Sequence, residues 1–127
     1  MDELRLSGVV LSSPEPRKLA AFYCRLLGLK PDRDDEHWVS VVTPQGVRLS
    51  FHHEERYRPP VWPSRQEEQQ MMLHLDFDVA DLESACAHAL RTGARLADVQ
   101  PQPDVRVLLD PDGHPFCLTE PSGPSAS

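Results

Sequence analysis

The chain repeats itself. Gly28 and Gly93 each close an apolar helical pattern and lie 65 residues apart; Gly46 and Gly113 each sit in a proline-containing turn and lie 67 residues apart. Two landmarks recurring at nearly one interval mark two copies of a supersecondary unit, which fixes the architecture before any single element is considered. Each copy reads strand, helix, glycine, short strand, hairpin: a βαβββ unit of about 60 residues. A unit of that size cannot easily bury its sheet alone, so the two halves are expected to pair, within one chain or between chains.

The elements follow from periodicity. Leu4 to Leu11 is apolar and β-prone. Leu19, Phe22, Tyr23 and Leu26 recur at helical spacing, which predicts an amphipathic helix over Pro16–Leu27. Trp38–Val42 and Val47–His52 flank the turn Thr43-Pro44-Gln45-Gly46 and form a hairpin. In the second half, Met71–Val79 alternates at period two. Leu82, Ala85, Cys86, Ala89 and Leu90 mark a helix with Asp81 as its N-cap. Val105–Leu109 and Pro115–Thr119 flank Asp110-Pro111-Asp112-Gly113. The prolines, barred from helix interiors and central strands, fall at these borders. Module one is therefore expected at about 4–58, a linker at 59–70, and module two at about 71–120. Residues 121–127 read as a disordered tail.

Composition narrows the class. The chain has 127 residues, 39% of them apolar, and a formal charge of −7. That is too apolar for a disordered chain. No apolar run approaches the roughly 18–20 residues that span a bilayer. The acidic start, Met1-Asp2-Glu3, lacks a signal peptide's basic region. An acidic chain without a basic patch is not a nucleic-acid binder. Cys24, Cys86 and Cys117 are odd in number and far apart, and read as reduced thiols in the cytoplasm. No dinucleotide fingerprint, phosphate loop, HExxH or Ser-His-Asp signature is present.

Several stretches together resemble a known superfamily. Pro14-Glu15-Pro16 with Phe22-Tyr23 and Leu27-Gly28 is similar to the first helix of the vicinal oxygen chelate proteins: glyoxalase I, bleomycin- and fosfomycin-resistance proteins and extradiol dioxygenases. His74-Leu75-Asp76-Phe77-Asp78-Val79 followed by Asp81-Leu82 resembles the opening strand of their second module. Asp110-Pro111-Asp112-Gly113-His114 resembles their last turn, and the Pro59-Pro60-Val61-Trp62-Pro63 linker resembles a glyoxalase-like subgroup. The likeness runs over about residues 4–120. It implies an α+β fold: two paired βαβββ modules whose curved mixed sheets form a cup, with the helices outside. It also implies a small-molecule ligand in the cup and a homodimer.

Members of the superfamily that are enzymes hold a divalent metal in the cup. Carried over, their four ligand positions are Gly8, Ser50, His74 and Cys117, of which only His74 matches. Gly8 offers no ligand atom, Ser50 is a poor one, and a thiolate suits zinc better than a hard-metal oxygen site. Strand alternation independently turns His74, Asp76, Asp78, Arg48, Ser50, His52, Cys117 and Thr119, with Gly8, Val10 and Ser12, toward the cup. A catalytic metal is therefore not favoured. Were one present, His74 and His52 are the surviving ligands, with Cys117 as a third, and zinc, nickel, manganese or iron the candidate ions. His74 otherwise reads as a polar pocket residue bonded to the ligand or to Asp76.

The expected function is binding of an aromatic or cationic small molecule, as in bleomycin-resistance proteins. His74 and Asp76 would hydrogen-bond it. Trp38 and Trp62 would stack on it, with Tyr57 as a further aromatic, and Arg48, Ser50, His52 and Cys117 would line the wall. The alternative is a metal-dependent lyase, isomerase or dioxygenase; a third possibility is a metal-free enzyme with Asp76 as base. Other groups have plainer readings. His52-His53-Glu54-Glu55 is an exposed strand end, because neighbouring strand residues point to opposite faces. His88 faces solvent, His114 is a surface turn residue, and Arg65–Gln70 is solvated linker. Cys24 and Cys86 fill helix-side core.

Overall fold

The computed structural model describes residues 4–121; the expected disordered tail lies outside them from Ser122 onward. The chain divides after Tyr57 into two compact units. The first contains β1 (Gly8–Ser13), α1 (Pro16–Leu27), β2 (Arg33–Asp35), β3 (Trp38–Val42) and β4 (Arg48–His53). The second contains β5 (Leu75–Asp78), α2 (Leu82–Thr92), β6 (Arg95–Leu96), β7 (Val105–Leu109) and β8 (Pro115–Thr119). The sheets have the same strand order, β1-β4-β3-β2 and β5-β8-β7-β6. In each, the first strand runs parallel to the last and the remaining pairs are antiparallel. The class is α+β with two mixed four-stranded sheets, as the repeat predicted.

The opening strands start later than their apolar runs suggest. Leu4–Ser7 and Met71–His74 are not in strands. The cause is the same in both. β1 pairs with β4 from Gly8↔Arg48, and β5 with β8 from Leu75↔Phe116. Upstream of Arg48 and Phe116 the partner chain turns into its hairpin, so earlier residues have no ladder to join. β1 also runs on to Ser13 because β4 continues to His53.

The two hairpin turns share one hydrogen-bond pattern. In the first, Gly46 N–H donates to the Thr43 carbonyl (2.9 Å), Thr43 N–H to the Val47 carbonyl (2.9 Å), and Val47 N–H to Thr43 Oγ1 (3.1 Å). In the second, Gly113 N–H donates to the Asp110 carbonyl (2.9 Å), Asp110 N–H to the His114 carbonyl (2.9 Å), and His114 N–H to Asp110 Oδ1 (3.0 Å). Both turns need a residue at positive φ: 88° at Gly46 and 91° at Gly113. In the second turn the expectation of a surface histidine fails. Asp110 is fully buried, and His114 Nδ1 lies 2.8 Å from its Oδ2 with only 14% of the His114 side chain exposed. The ring and the Asp112 and His114 N–H groups satisfy the buried carboxylate, as burial of a charge demands.

In the first unit α1 covers one face of its sheet. Leu19, Phe22 and Tyr23 of α1 and Val39, Val41, Leu49 and Phe51 of the sheet are all buried, and Tyr23 stacks on Phe51 with centroids 5.5 Å apart. Burying each such side chain is worth about 1.5–3 kcal/mol. Gly28 ends α1 in the left-handed region (φ 68°). The second core is built from Leu82, Ala89, Val107, Leu108, Phe116 and Leu118. Asp81 flanks α2 but does not cap it. Its carboxylate accepts from Ser84 Oγ (2.7 Å), while the Leu82 N–H donates to Glu120 Oε2 (2.9 Å). Among the described residues no helix is long and apolar enough to cross a membrane.

Candidate functional site

The polar side chains expected to line a site do lie on the sheet faces turned away from the helices, one set in each unit. In the second unit His74 and Asp76 are two residues apart and share a face, and Asp76 pairs across the ladder with Cys117. His74 Nε2 stands 3.1 Å from Asp76 Oδ1. One ligating atom from each of His74, Asp76 and Cys117 falls within 4.8 Å of the others. Among the described residues this is the one cluster of three such groups. Its third member is Asp76, where the sequence pointed to His52, which lies in the other unit.

The cluster is graded in exposure. Asp76 is open, with 66% of its side chain accessible, His74 less so at 37%, and Cys117 is half-buried. Burial, with the charge and hydrogen bond of Asp76, pushes the Cys117 thiol up to about 11. The sulfur therefore keeps its proton at neutral pH, so Cys117 is a weak donor and no nucleophile as it stands. An imidazole nitrogen, a carboxylate oxygen and a sulfur form a borderline donor set. Such a set fits zinc, with a fourth position left for a ligand, and does not fit a hard, all-oxygen ion. Asp78 is exposed farther along the same face.

In the first unit the helix-free face carries Arg48, Ser50 and His52 on β4, flanked by Trp38 and Ser40 on β3 and Ser12 on β1. His52 Nε2 and Ser12 Oγ are 2.9 Å apart, and the Trp38 and His52 ring centroids 6.2 Å. Arg48 Nη1 donates to Asp32 Oδ2 (2.8 Å) and Ser40 Oγ (3.4 Å), and Ser40 Oγ donates to Asp32 Oδ1 (2.9 Å). The Ser40 hydroxyl, and after it the Arg48 guanidinium, hold the Asp32 carboxyl below its ordinary value despite partial desolvation. Asp32 was not singled out in the sequence. It precedes β2 in a turn, and no pattern ties it to Arg48, sixteen residues on.

The four carried-over ligand positions are now distinguishable. Gly8 has no room for a side chain, because a Cβ there would collide with the carbonyl oxygen of Arg48 and come within 2.9 Å of its Cβ. Ser50 is buried at 2% exposure. His74 and Cys117 remain and belong to one cluster. The two other aromatics lie away from these sets in the chain. Tyr57 closes a turn on the Glu54 carbonyl (3.2 Å) beyond β4, and Trp62 is half-buried in the segment before β5. That segment is a closed loop, pinned by Val61 N–H on the Gln69 carbonyl (2.7 Å).

Comparison with known proteins agrees with this architecture. A family-wide sequence model described as a glyoxalase-like domain matches residues 8–119. Among solved structures, the chain resembles a glyoxalase/bleomycin resistance protein/dioxygenase family enzyme from Burkholderia phytofirmans PsJN, at 20% identity and a TM-score of 0.72. That likeness covers 92% of this chain and 98% of the other. It also resembles a glyoxalase family protein from Enterococcus faecalis (18% identity, TM-score 0.69, covering 91% and 97%). A third is a possible glyoxalase from Bacillus cereus (10%, 0.68, 92% and 99%). At these identities the structures speak for the fold. No protein of curated function matches the chain.

Proposed function

Because this chain belongs to the glyoxalase-like domain family, within the vicinal oxygen chelate superfamily, we propose that it binds a small molecule against the helix-free sheet face and does so without a catalytic metal. The state of the four ligand positions carries this reading. Gly8 is closed to any side chain, Ser50 is buried, the Cys117 sulfur holds its proton, and His74 is engaged with Asp76. What remains is a polar recognition surface. The His74–Asp76 pair presents a donor and an anionic acceptor, and exposed Asp78 adds a second negative charge, which suits an aromatic or cationic ligand. In the other unit Trp38 and His52 offer a stacking surface beside the Arg48–Asp32 pair.

The reading predicts that protein dialysed against chelator still binds. In a thermal-shift screen with bleomycin and simpler aromatic amines as probes, a binder raises the unfolding midpoint, since it favours the folded state by mass action. His74→Ala and Asp76→Asn should lower that shift. A screen in which binding appears only after metal is restored overturns the reading. On the same reading the protein works as a cytoplasmic homodimer. Leu4, Leu6 and Met72, at 94%, 95% and 79% exposure, supply apolar surface for self-association, and light scattering during gel filtration checks it.

A second reading rests on the 4.8 Å cluster, whose donors fit zinc. Zinc held there would act as a Lewis acid on a bound ligand's oxygen. Under this reading His74, Asp76 and Cys117 hold the ion, and Asp76 keeps the His74 ring oriented. Elemental analysis decides between the two. One equivalent of zinc, lost in His74→Ala and Cys117→Ala, supports the second reading against the first.

A further inference from the structure

The helix side of the first sheet is covered only as far as α1 extends. Val39, Val41, Leu49 and Phe51 lie under the helix, which begins at Pro16. Beyond that start, the same side of the sheet ends in two histidines. Trp38 pairs with His52 in the β3–β4 ladder, so the next pair outward sets His37 opposite His53. The His53 N–H donates to the His37 carbonyl (2.9 Å). Their ring centroids are 4.9 Å apart and tilted by 33°. The Glu36 carboxylate lies 4.0 Å from His37 Nε2, and both side chains are open, at 81% and 68% exposure. His37, His53, Glu36 and Glu15 line a cavity of about 350 Å³ ahead of α1.

We propose that His37 and His53 chelate a divalent transition metal ion of the zinc, nickel or copper class, with Glu36 as an oxygen ligand. Directly opposed residues of an antiparallel pair have Cβ atoms about 4.5–5.5 Å apart. Two imidazole nitrogens on one zinc-sized ion sit roughly 3.3 Å apart, given bonds of about 2.0–2.1 Å. Side-chain rotation alone bridges the two geometries. Imidazole is a favoured ligand for these metals. The opposing charges are already offset. Arg17 and Lys18 line the same cavity, but Arg17 is paired with Asp34 (2.9 Å) and Lys18 with Glu15 (2.9 Å). The partial positive charge at the α1 N-terminus works against a cation, and Glu36 counters it. A bound ion would tie the tip of the β2–β3 hairpin to the end of β4. This site is on the opposite sheet face from the residues discussed above, and does not depend on either reading of them.

Nickel is the probe, because its paramagnetism locates it. With one equivalent of Ni²⁺, amide resonances of residues 36–38 and 52–54 should broaden in a nitrogen–proton correlation spectrum. The broadening should vanish in His37→Ala and in His53→Ala, persist in His74→Ala, and be accompanied in the first two by roughly tenfold or greater loss of affinity by calorimetry. Broadening confined to residues around His74 and Cys117, or unchanged in both variants, overturns the proposal. So does weak binding without fixed stoichiometry, the mark of an adventitious ion only. All the substituted side chains are surface groups, so the variants are expected to fold.

Discussion

Asp76 acts on Cys117 through both its charge and a hydrogen bond, and that coupling can be measured at a single sulfur. Asp76→Asn removes a negative charge and an acceptor that together help keep the proton on the thiol. Alkylation of Cys117 by iodoacetamide near pH 8.5, followed by mass spectrometry of its peptide, should therefore be faster in the variant than in the parent protein. An unchanged rate would leave burial as the sole cause. Gly8 makes a second residue-level case. Gly8→Ala drives a methyl group into the Arg48 backbone and should cost about 1–3 kcal/mol in urea unfolding, as overpacking does. At Asp32 the sign runs the other way from Cys117. Its folded carboxyl binds a proton less tightly than the unfolded one, so the stability it contributes is whole above the ordinary carboxylate value of about 3.9. That stability is lost as pH falls through the lower folded value. Asp32→Asn should flatten the fall in urea midpoint below about pH 4.

At the scale of elements, what could be read from the sequence was what neighbours along the chain decide. Leu19, Phe22, Tyr23 and Gly28 placed α1 to the residue, because helix periodicity and a left-handed stop are local properties. The strand faces followed from alternation, which is why Arg48, Ser50, His52, His74, Asp76 and Cys117 fall on helix-free faces. What was not legible depends on partners distant in sequence. β1 and β5 begin where their parallel partners do, 40 residues on, and no run of apolar residues encodes that. The α2 cap is another instance. Asp81 has the right residue type and position, yet the Leu82 N–H goes to Glu120, 38 residues away. Glu120→Ala should accordingly destabilise the protein by about 1 kcal/mol in urea, with Glu120→Gln retaining most of it, whereas Asp81→Ala should cost less. His114 was misjudged for a related reason. Thr43 and Asp110 play one role in two matching turns, but only in the second does the fold bury that side chain and recruit a histidine to its carboxylate.

For the whole molecule, charge and duplication set the behaviour. With 20 acidic against 13 basic side chains, solubility should be lowest near the isoelectric point of about 5.2 and recover on either side, as turbidity against pH would show. The two units share one strand order and one turn pattern, yet they have diverged where chemistry is concerned. The first presents an arginine–aspartate pair, a serine–histidine pair and an indole; the second presents histidine, carboxylate and thiol. The duplication also dealt out the two tryptophans of the chain evenly, Trp38 to the first unit and Trp62 to the second. Each half thus carries its own intrinsic fluorophore. Replacing either indole with phenylalanine leaves an emission signal that belongs to a single half, so the melting of each can be followed by its own light.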